Sequence, residues 1–342
     1  MKALSIILLG LAWLSCLGGP PRAGGEEVRV ERSRPMMGTM VAITVLGPDR
    51  ALCDRAVEQA FQKIETVDRL MSVFKEDSQV SQLNRSAGKA WVALDPPVLE
   101  VLEAAVLYAR LSEGAFDITV GPLLRLWGFY REKGHLPSPQ EIRRARSLVD
   151  YREIEIDRPG GRARLKRPGM AIDLGGIAKG YAVDKAVEAL KKNGIQQGLV
   201  NTGDLYAFGG SKEKGLWRIG LQHPREREKI VTLLEVADRA VATSGNYERY
   251  FVLKGKRYAH IFDPRTGWPT QGMASVTILA DRTMAAEALA VSVFVLGVQK
   301  GLALVNRLPG VEAIVIAEEG PQGRQLAPYL SKGLQGRISL RF

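Results

Sequence analysis

The chain has 342 residues, 46% of them apolar and 25% charged, with a net charge of +11. Those proportions suit a globular protein with a full core, in one large domain or two modest ones, and no repeat or low-complexity block is visible. The basic residues alternate with acids in "RAVEQAFQK", "EIRRARS" and "HPREREK", with no aromatic–basic stripe. That pattern argues against a nucleic-acid surface; a general attraction to anionic ligands or membrane surfaces fits better, and most of these residues read simply as a solvated basic surface.

Lys2 precedes an apolar run from Ala3 to Leu17, and "GGPPRAGGEE" follows. Residues 1–24 have the layout of a secretory signal peptide, short for a membrane span. A single N-terminal anchor helix is the alternative. Cys16 in "WLSC" is a candidate lipid-attachment residue, although the preceding residues fit a lipobox poorly. Cys53 then stands alone, without a partner for an internal disulfide. No other segment is read as a membrane span.

Residues 40–47, "MVAITVLG", alternate as a half-buried strand. From Asp49 to Leu70, Val57, Phe61, Ile64 and Val67 recur at helical spacing. "MSVFKEDSQVSQLN" is a loop with a short helical turn. A second helix spans about Pro97 to Ser112 and ends at Gly114. "AFDITVGPLLRLWGF" is apolar but broken by Gly121 and Pro122. Residues 131–170 hold a short helix near Gln140–Ser147 and two short strands. A helix then follows "DLGGIAKGYAVD" to about Lys192, closed by Gly194. Strands dominate next, through "GLVNTGDLYAFG", "LWRIGLQ", "KIVTLLEVADRAVATSG", "RYFVLKG", "YAHIFDP" and "ASVTILA". An apolar helix spans about Thr283 to Leu296, and another helix and the strand "VEAIVIA" close the chain. Helices and strands segregate, which predicts an α+β fold with a mixed, largely antiparallel sheet in one domain over residues 30–340.

Three stretches carry candidate chemistry. In "DLGGIAKGYAVD", Asp173 is placed to cap a helix beginning near Gly175. Lys179 falls in the first turn, where the helix dipole opposes its charge. An anionic ligand at the helix start would remove that conflict, although the spacing is neither a P-loop nor G-x-G-x-x-G. The second stretch is the helix from Met284 to Leu296, apolar or small except for Glu287 and Ser292. A carboxylate buried in such a helix needs a partner or a metal. In the third, "YAHIFDPRTGWP", a strand runs into a turn and puts His260 near Asp263, which suits a general base. Thr243 and Ser244 offer hydroxyls in a loop, and Asn201 and Asp204 lie near a tight turn. There is no serine-hydrolase elbow, His-rich metal motif or EF-hand, so any metal would be held by oxygens, as magnesium or calcium is.

"MMGTM", "MSVFKEDSQVSQLN", "GAFDITVGPL", "DLGGIAKGYAVD", "ATSGNYERY" and "HIFDPRTGWP", in this order from about Met36 to about Val315, resemble the ApbE family of FAD:protein FMN transferases. The resemblance implies a T-fold-like α+β architecture and an exported, periplasmic-side protein, lipid-anchored to the inner membrane if Cys16 is modified. It implies FAD as substrate, with Mg2+, cleaved to release AMP while FMN passes to a threonine or serine of an acceptor subunit of a membrane redox complex. The alternatives are FAD hydrolysis to FMN and AMP, and a flavin-binding protein with weak or no transferase activity.

Position by position, the resemblance implies that Met37 and Phe74 lie near the flavin. It places Ala115, Phe116 and Asp117 in a cofactor-binding segment, and it makes Asp173 and Lys179 cofactor contacts. His260 and Ile261 line the reaction centre, with His260 or Asp263 taking the acceptor's proton. Gly176 and Ala290 lend backbone carbonyls to the metal, and Glu287 is its acid. This chain departs from the family pattern at three places. Glu287 replaces the usual aspartate, Val291 replaces a threonine ligand, and "NTGDL" is one glycine short.

Overall fold

The computed structural model describes residues 27–130, 134–210 and 215–342. The expected leader, residues 1–24 with Cys16, lies outside them. The scaffold is an eight-stranded sheet of Val28–Met36, Thr39–Gly47, Gln197–Asn201, Leu205–Phe208, Arg239–Gly245, Met273–Ala280, Glu312–Glu319 and Gln325–Leu330. These strands lie in the sheet in chain order, and every neighbouring pair is antiparallel. The α+β fold with a largely antiparallel sheet is therefore as expected. The two outermost strands were not anticipated. Val28–Met36 carries three arginines and a glutamate in nine residues, and Gln325–Leu330 is exposed or half-exposed throughout. Edge strands need little apolar alternation, so their sequence signal is weak.

Seven helices accompany the sheet among the described residues: α1 (Arg50–Met71), α2 (Gln79–Arg85), α3 (Pro96–Leu111), α4 (Gly121–Leu126), α5 (Pro139–Arg146), α6 (Ala178–Lys192) and α7 (Thr283–Val305). Asp49 caps α1 by accepting from the Leu52 N–H at 2.8 Å. The Gly121-Pro122 pair opens α4 rather than breaking a helix, since proline is compatible with the first turn. Ser138 and Glu141 form a capping box on α5. Thr243 and Ser244, expected in a loop, lie in the strand Arg239–Gly245.

Helices α1, α6 and α7 cover one face of the sheet. The hairpin of Trp217–Gln222 and Ile230–Val236, with Leu334, covers the other. The strand Met273–Ala280 is buried at every position, as a central strand with both faces covered should be. Gly297, at φ 78°, breaks α7 into two helical segments. By length and apolarity α7 would cross a membrane. It packs instead against α6 and two central strands, so here it is a core helix.

A satellite core forms around Trp127, just after α4. Rings of Trp268, Tyr258, Phe262 and Phe251 lie 5.1 to 6.5 Å from it. This module gathers α4, α5, the hairpin of Tyr250–Leu253 and Lys256–Ala259, and the small ribbon at 262–269. Its hairpin ladder runs directly into His260.

Candidate active site

Helices α6 and α7 touch at Gly180, where a β-carbon would sit 2.5 Å from the Thr283 carbonyl oxygen. Across this contact each helix caps the other. Asp184 of α6 accepts from the Thr283 and Met284 N–H groups at 2.7 and 3.2 Å. Glu287 of α7 accepts from the Gly180 N–H at 2.7 Å. First-turn N–H groups have no partner within their own helix, so each carboxylate satisfies donors that burial would otherwise strand. Gly180→Ala should cost about 1–3 kcal/mol by overpacking and displace Glu287. A urea midpoint unchanged from the parent protein would contradict this packing.

Glu287 is 3% exposed and Asp204 4% exposed. Between them lies the Lys179 ammonium, 2.5 Å from Asp204 Oδ2 and 2.5 Å from Glu287 Oε1. Asp204 comes from the turn after Gln197–Asn201, and its Oδ1 accepts from the Thr243 N–H at 3.1 Å. Burial pushes the Glu287 carboxyl up, while Lys179 pulls it back. Lys179 loses solvation, but its two acids outweigh that and hold it firmly charged. The conflict between Lys179 and the helix dipole is thus resolved by the protein itself. An ammonium has three N–H donors and two are engaged, so one remains for a ligand on the accessible side.

Asp173 does not cap α6. The helix starts at Ala178, and its cap residue, Ile177, has no side-chain bond. Asp173 Oδ1 instead accepts from the Gly175 N–H at 2.7 Å, and Oδ2 accepts from the Tyr130 hydroxyl at 2.7 Å. Short polar side chains close turns this way in preference to starting helices at a distance. The loop backbone is pinned further by Asn84, which both donates to and accepts from Ile172, and by Ile118. Tyr130 packs edge-on against Phe74 at 5.7 Å. Phe74 is 65% exposed, an unusual placement for a phenylalanine unless something covers it. A cleft beside it is lined by Val73, Arg85, Arg125 and Tyr130.

Gly176 lies against both Phe116 and Val291. A β-carbon there would stand 3.4 Å from the Phe116 ring and 3.3 Å from Val291 Cγ2. The structure thus brings the loop before α6 and the first half of α7 together, 115 residues apart in sequence. Ala115, Phe116, Ile261 and Ala290 are buried. The Asp117 carboxylate is turned inward, accepting from the Thr119 N–H and hydroxyl and from the Tyr151 N–H. Burial raises its pKa to about 6. Any ligand contact from this segment falls to its backbone or neighbours. Met37 sits in the hairpin turn at 36–39 with φ 53°.

His260 follows the strand Lys256–Ala259, and its Nδ1 lies 3.1 Å from the Arg249 carbonyl oxygen. A carbonyl only accepts, so Nδ1 carries the proton and Nε2 keeps a lone pair. Burial, Arg249 and Lys179 push its pKa down to about 4. Asp263, the other candidate base, is gripped by the Arg265 guanidinium at 2.8 and 2.9 Å and accepts from the Arg265 N–H. Both oxygens of Asp263 are thus taken up by Arg265, so the geometry favours His260. Glu248 completes the cluster. Burial raises its pKa, with Asp204 adding to the rise and Lys179 opposing it.

Sequence reasoning assigned no role to Tyr130, Asp184 or Glu248, and none to Asp204 beyond its turn. Asp184 closes the quoted "DLGGIAKGYAVD", but its partners are about a hundred residues away.

The donors present fit magnesium by chemistry. Glu287 and Asp204 are hard oxygens, and each carboxylate has more lone pairs than the contacts above use. Val291 offers carbon where a side-chain oxygen would help, so water would complete more of the shell. Among the described residues no three His, Cys, Asp or Glu side chains are grouped around a metal-sized space.

Residues 37–315 match the sequence model of the ApbE family. The chain is 32% identical over 314 residues to the FAD:protein FMN transferase of Klebsiella pneumoniae, covering 89% of this chain and 95% of that protein. It is 33% identical over 320 residues to the protein of the same name from Treponema pallidum, covering 88% of each. Its fold is similar to the ApbE protein of Thermotoga maritima, with a TM-score of 0.82 and 33% identity over 90% of this chain and 98% of that one. The flavin transferase ApbE from Vibrio cholerae gives 0.80, with 29% identity over 91% and 99%.

Proposed function

This chain belongs to the ApbE family, and we propose that it is an FAD:protein FMN transferase joining FMN to a threonine or serine hydroxyl of an acceptor protein. The observation that carries this reading is the buried Lys179–Asp204–Glu287 triad at the start of α6, with His260 within electrostatic reach of Lys179. The acceptor hydroxyl attacks the FMN phosphorus, the bond from that phosphorus to the AMP oxygen breaks, and AMP leaves. His260 Nε2, already deprotonated, takes the hydroxyl proton. The free N–H of Lys179 faces the diphosphate, and its charge is kept fixed by Asp204 and Glu287. Fixed donors of this kind stabilise charge that builds on phosphoryl oxygens. Phe74 and the nearby cleft offer an aromatic surface for the flavin, and the Phe116 segment backs it.

Glu287, with the Gly176 and Ala290 carbonyls, would hold Mg2+, which when bound neutralises diphosphate charge. Val291→Thr adds an oxygen one helical turn from Glu287. Calorimetry in the absence of FAD should show tighter magnesium binding by the variant, and equal affinities would remove this assignment. The acceptor is proposed to be a subunit of a membrane redox complex. The protein is proposed to be exported, on the periplasmic side, with residues 1–24 as signal and Cys16 as candidate anchor.

Mixing the protein with FAD, magnesium and a candidate acceptor subunit should give a fluorescent band that survives denaturing electrophoresis. Bound FAD without such a band, across acceptors and magnesium concentrations, would overturn the transferase reading.

A further inference from the structure

The chain's positive charge is concentrated. Residues 121–130, 134–150 and 249–270, the described segments that build the Trp127 module, hold nine Lys and Arg against three Asp and Glu. That is +6 of the chain's +11 in 49 residues. Within the module, the stretch 249–262 has four basic residues and no acid. This stretch is the hairpin that ends in His260.

The hairpin is a ribbon of two strands, with no third strand among the described residues. Phe251 and Tyr258 stack on each other at 5.3 Å and face the Trp127 core. The opposite face presents Tyr250 and Val252, 42% and 58% exposed, and Leu253 is 37% exposed at the tip. Among the described residues Lys254 has no hydrogen-bond or ion-pair partner, and Arg257 stacks over Tyr250 at 4.4 Å. A two-stranded ribbon that pairs with no other described strand and carries exposed apolar side chains is a template for pairing with another chain. The ladder ends where His260 N–H donates to the Arg249 carbonyl. A strand added beside Lys256–Ala259 would advance about 3.3 Å per residue, so its next residue would lie beside His260.

We propose that this hairpin is the docking strand for the acceptor: an acidic, extended segment of the acceptor pairs with it and delivers its hydroxyl to His260. The inference rests on the transferase reading, since that reaction requires a protein hydroxyl at His260. Charge complementarity selects the acidic segment, and strand addition sets its register.

The test uses the full chain with FAD and two labelled synthetic peptides. One has a single threonine flanked by alternating valine and aspartate, and the other has lysine in place of aspartate. By fluorescence anisotropy the acidic peptide should bind at least about tenfold more tightly, an advantage that shrinks with salt. Lys254→Glu combined with Lys256→Glu should remove that preference while leaving FAD affinity unchanged. Equal, salt-insensitive binding of both peptides would overturn the inference, whether or not FMN is transferred. Acidic peptide bound at the hairpin but never labelled with FMN would instead count against the transferase reading. Binding to phosphatidylserine vesicles that the double variant abolishes, with peptide affinity unchanged, would assign the surface to membranes and also overturn the inference.

Discussion

Replacing Lys179 with methionine should leave a protein about 3–5 kcal/mol less stable at neutral pH and at least about a hundredfold slower in AMP release. The reason is the pair of carboxylates it separates. Asp204 and Glu287 are almost fully buried, and the ammonium is their shared counter-ion. Without it, two buried like charges face each other. Burial and Asp204 both raise the Glu287 carboxyl, and the opposing pull of Lys179 is gone. A carboxyl whose folded pKa lies above its unfolded value takes up a proton on folding. The variant should therefore regain stability as pH falls from 7.5 towards 5, and lose it as pH rises. Urea midpoints at the two pH values measure this directly. A second change, Glu287→Gln, should restore part of the loss at pH 7.5 without restoring the rate. If Lys179→Met is as stable as the parent at pH 7.5, the ion triad does not hold the site together.

The elements of this site were legible in the sequence, but the joints between them were not. Glu287 stood out because every neighbour on its helix is apolar or small, and a burial argument needs only local pattern. Its partner could not be read that way, because Lys179 lies 108 residues earlier and nothing local links them. Lys179 reads as half of a phosphate site because nothing local compensates a cation at a helix start. The compensation comes from Glu287 of α7 and from Asp204 in the turn after Gln197–Asn201. Asp173 shows the reverse error. Its capping role was inferred from spacing alone, and the loop absorbed it with a closer donor, the Gly175 N–H. The two edge strands escaped notice because half-exposed strands have no apolar alternation to find. The clustering of positive charge was also hidden, since its two segments are about a hundred residues apart and meet only around Trp127.

Replacing His260 with glutamine should lower the transfer rate by about 10²–10⁴-fold and leave FAD binding intact. The glutamine keeps a donor for the Arg249 carbonyl but has no nitrogen able to take a proton. The pH dependence separates a base from a mere positioning group. An ordinary histidine titrates near 6.5, and a rate relying on one would fall below that pH. Here burial, Arg249 and Lys179 hold the pKa at about 4, so the imidazole is already neutral from pH 5 to 8. The parent protein's rate should therefore stay level down to about pH 5. The same shift has a stability consequence of fixed sign. The unfolded chain protonates His260 near 6.5 while the folded chain resists until about 4, so stability should drain away as pH falls through that window. In His260→Gln this component vanishes, and the acid limb of the stability curve should be shallower. A parent rate that falls with a midpoint near 6.5, or a variant that keeps the full rate, would remove His260 from the proton transfer. In that event Glu248, whose carboxyl burial also raises, becomes the next group to replace.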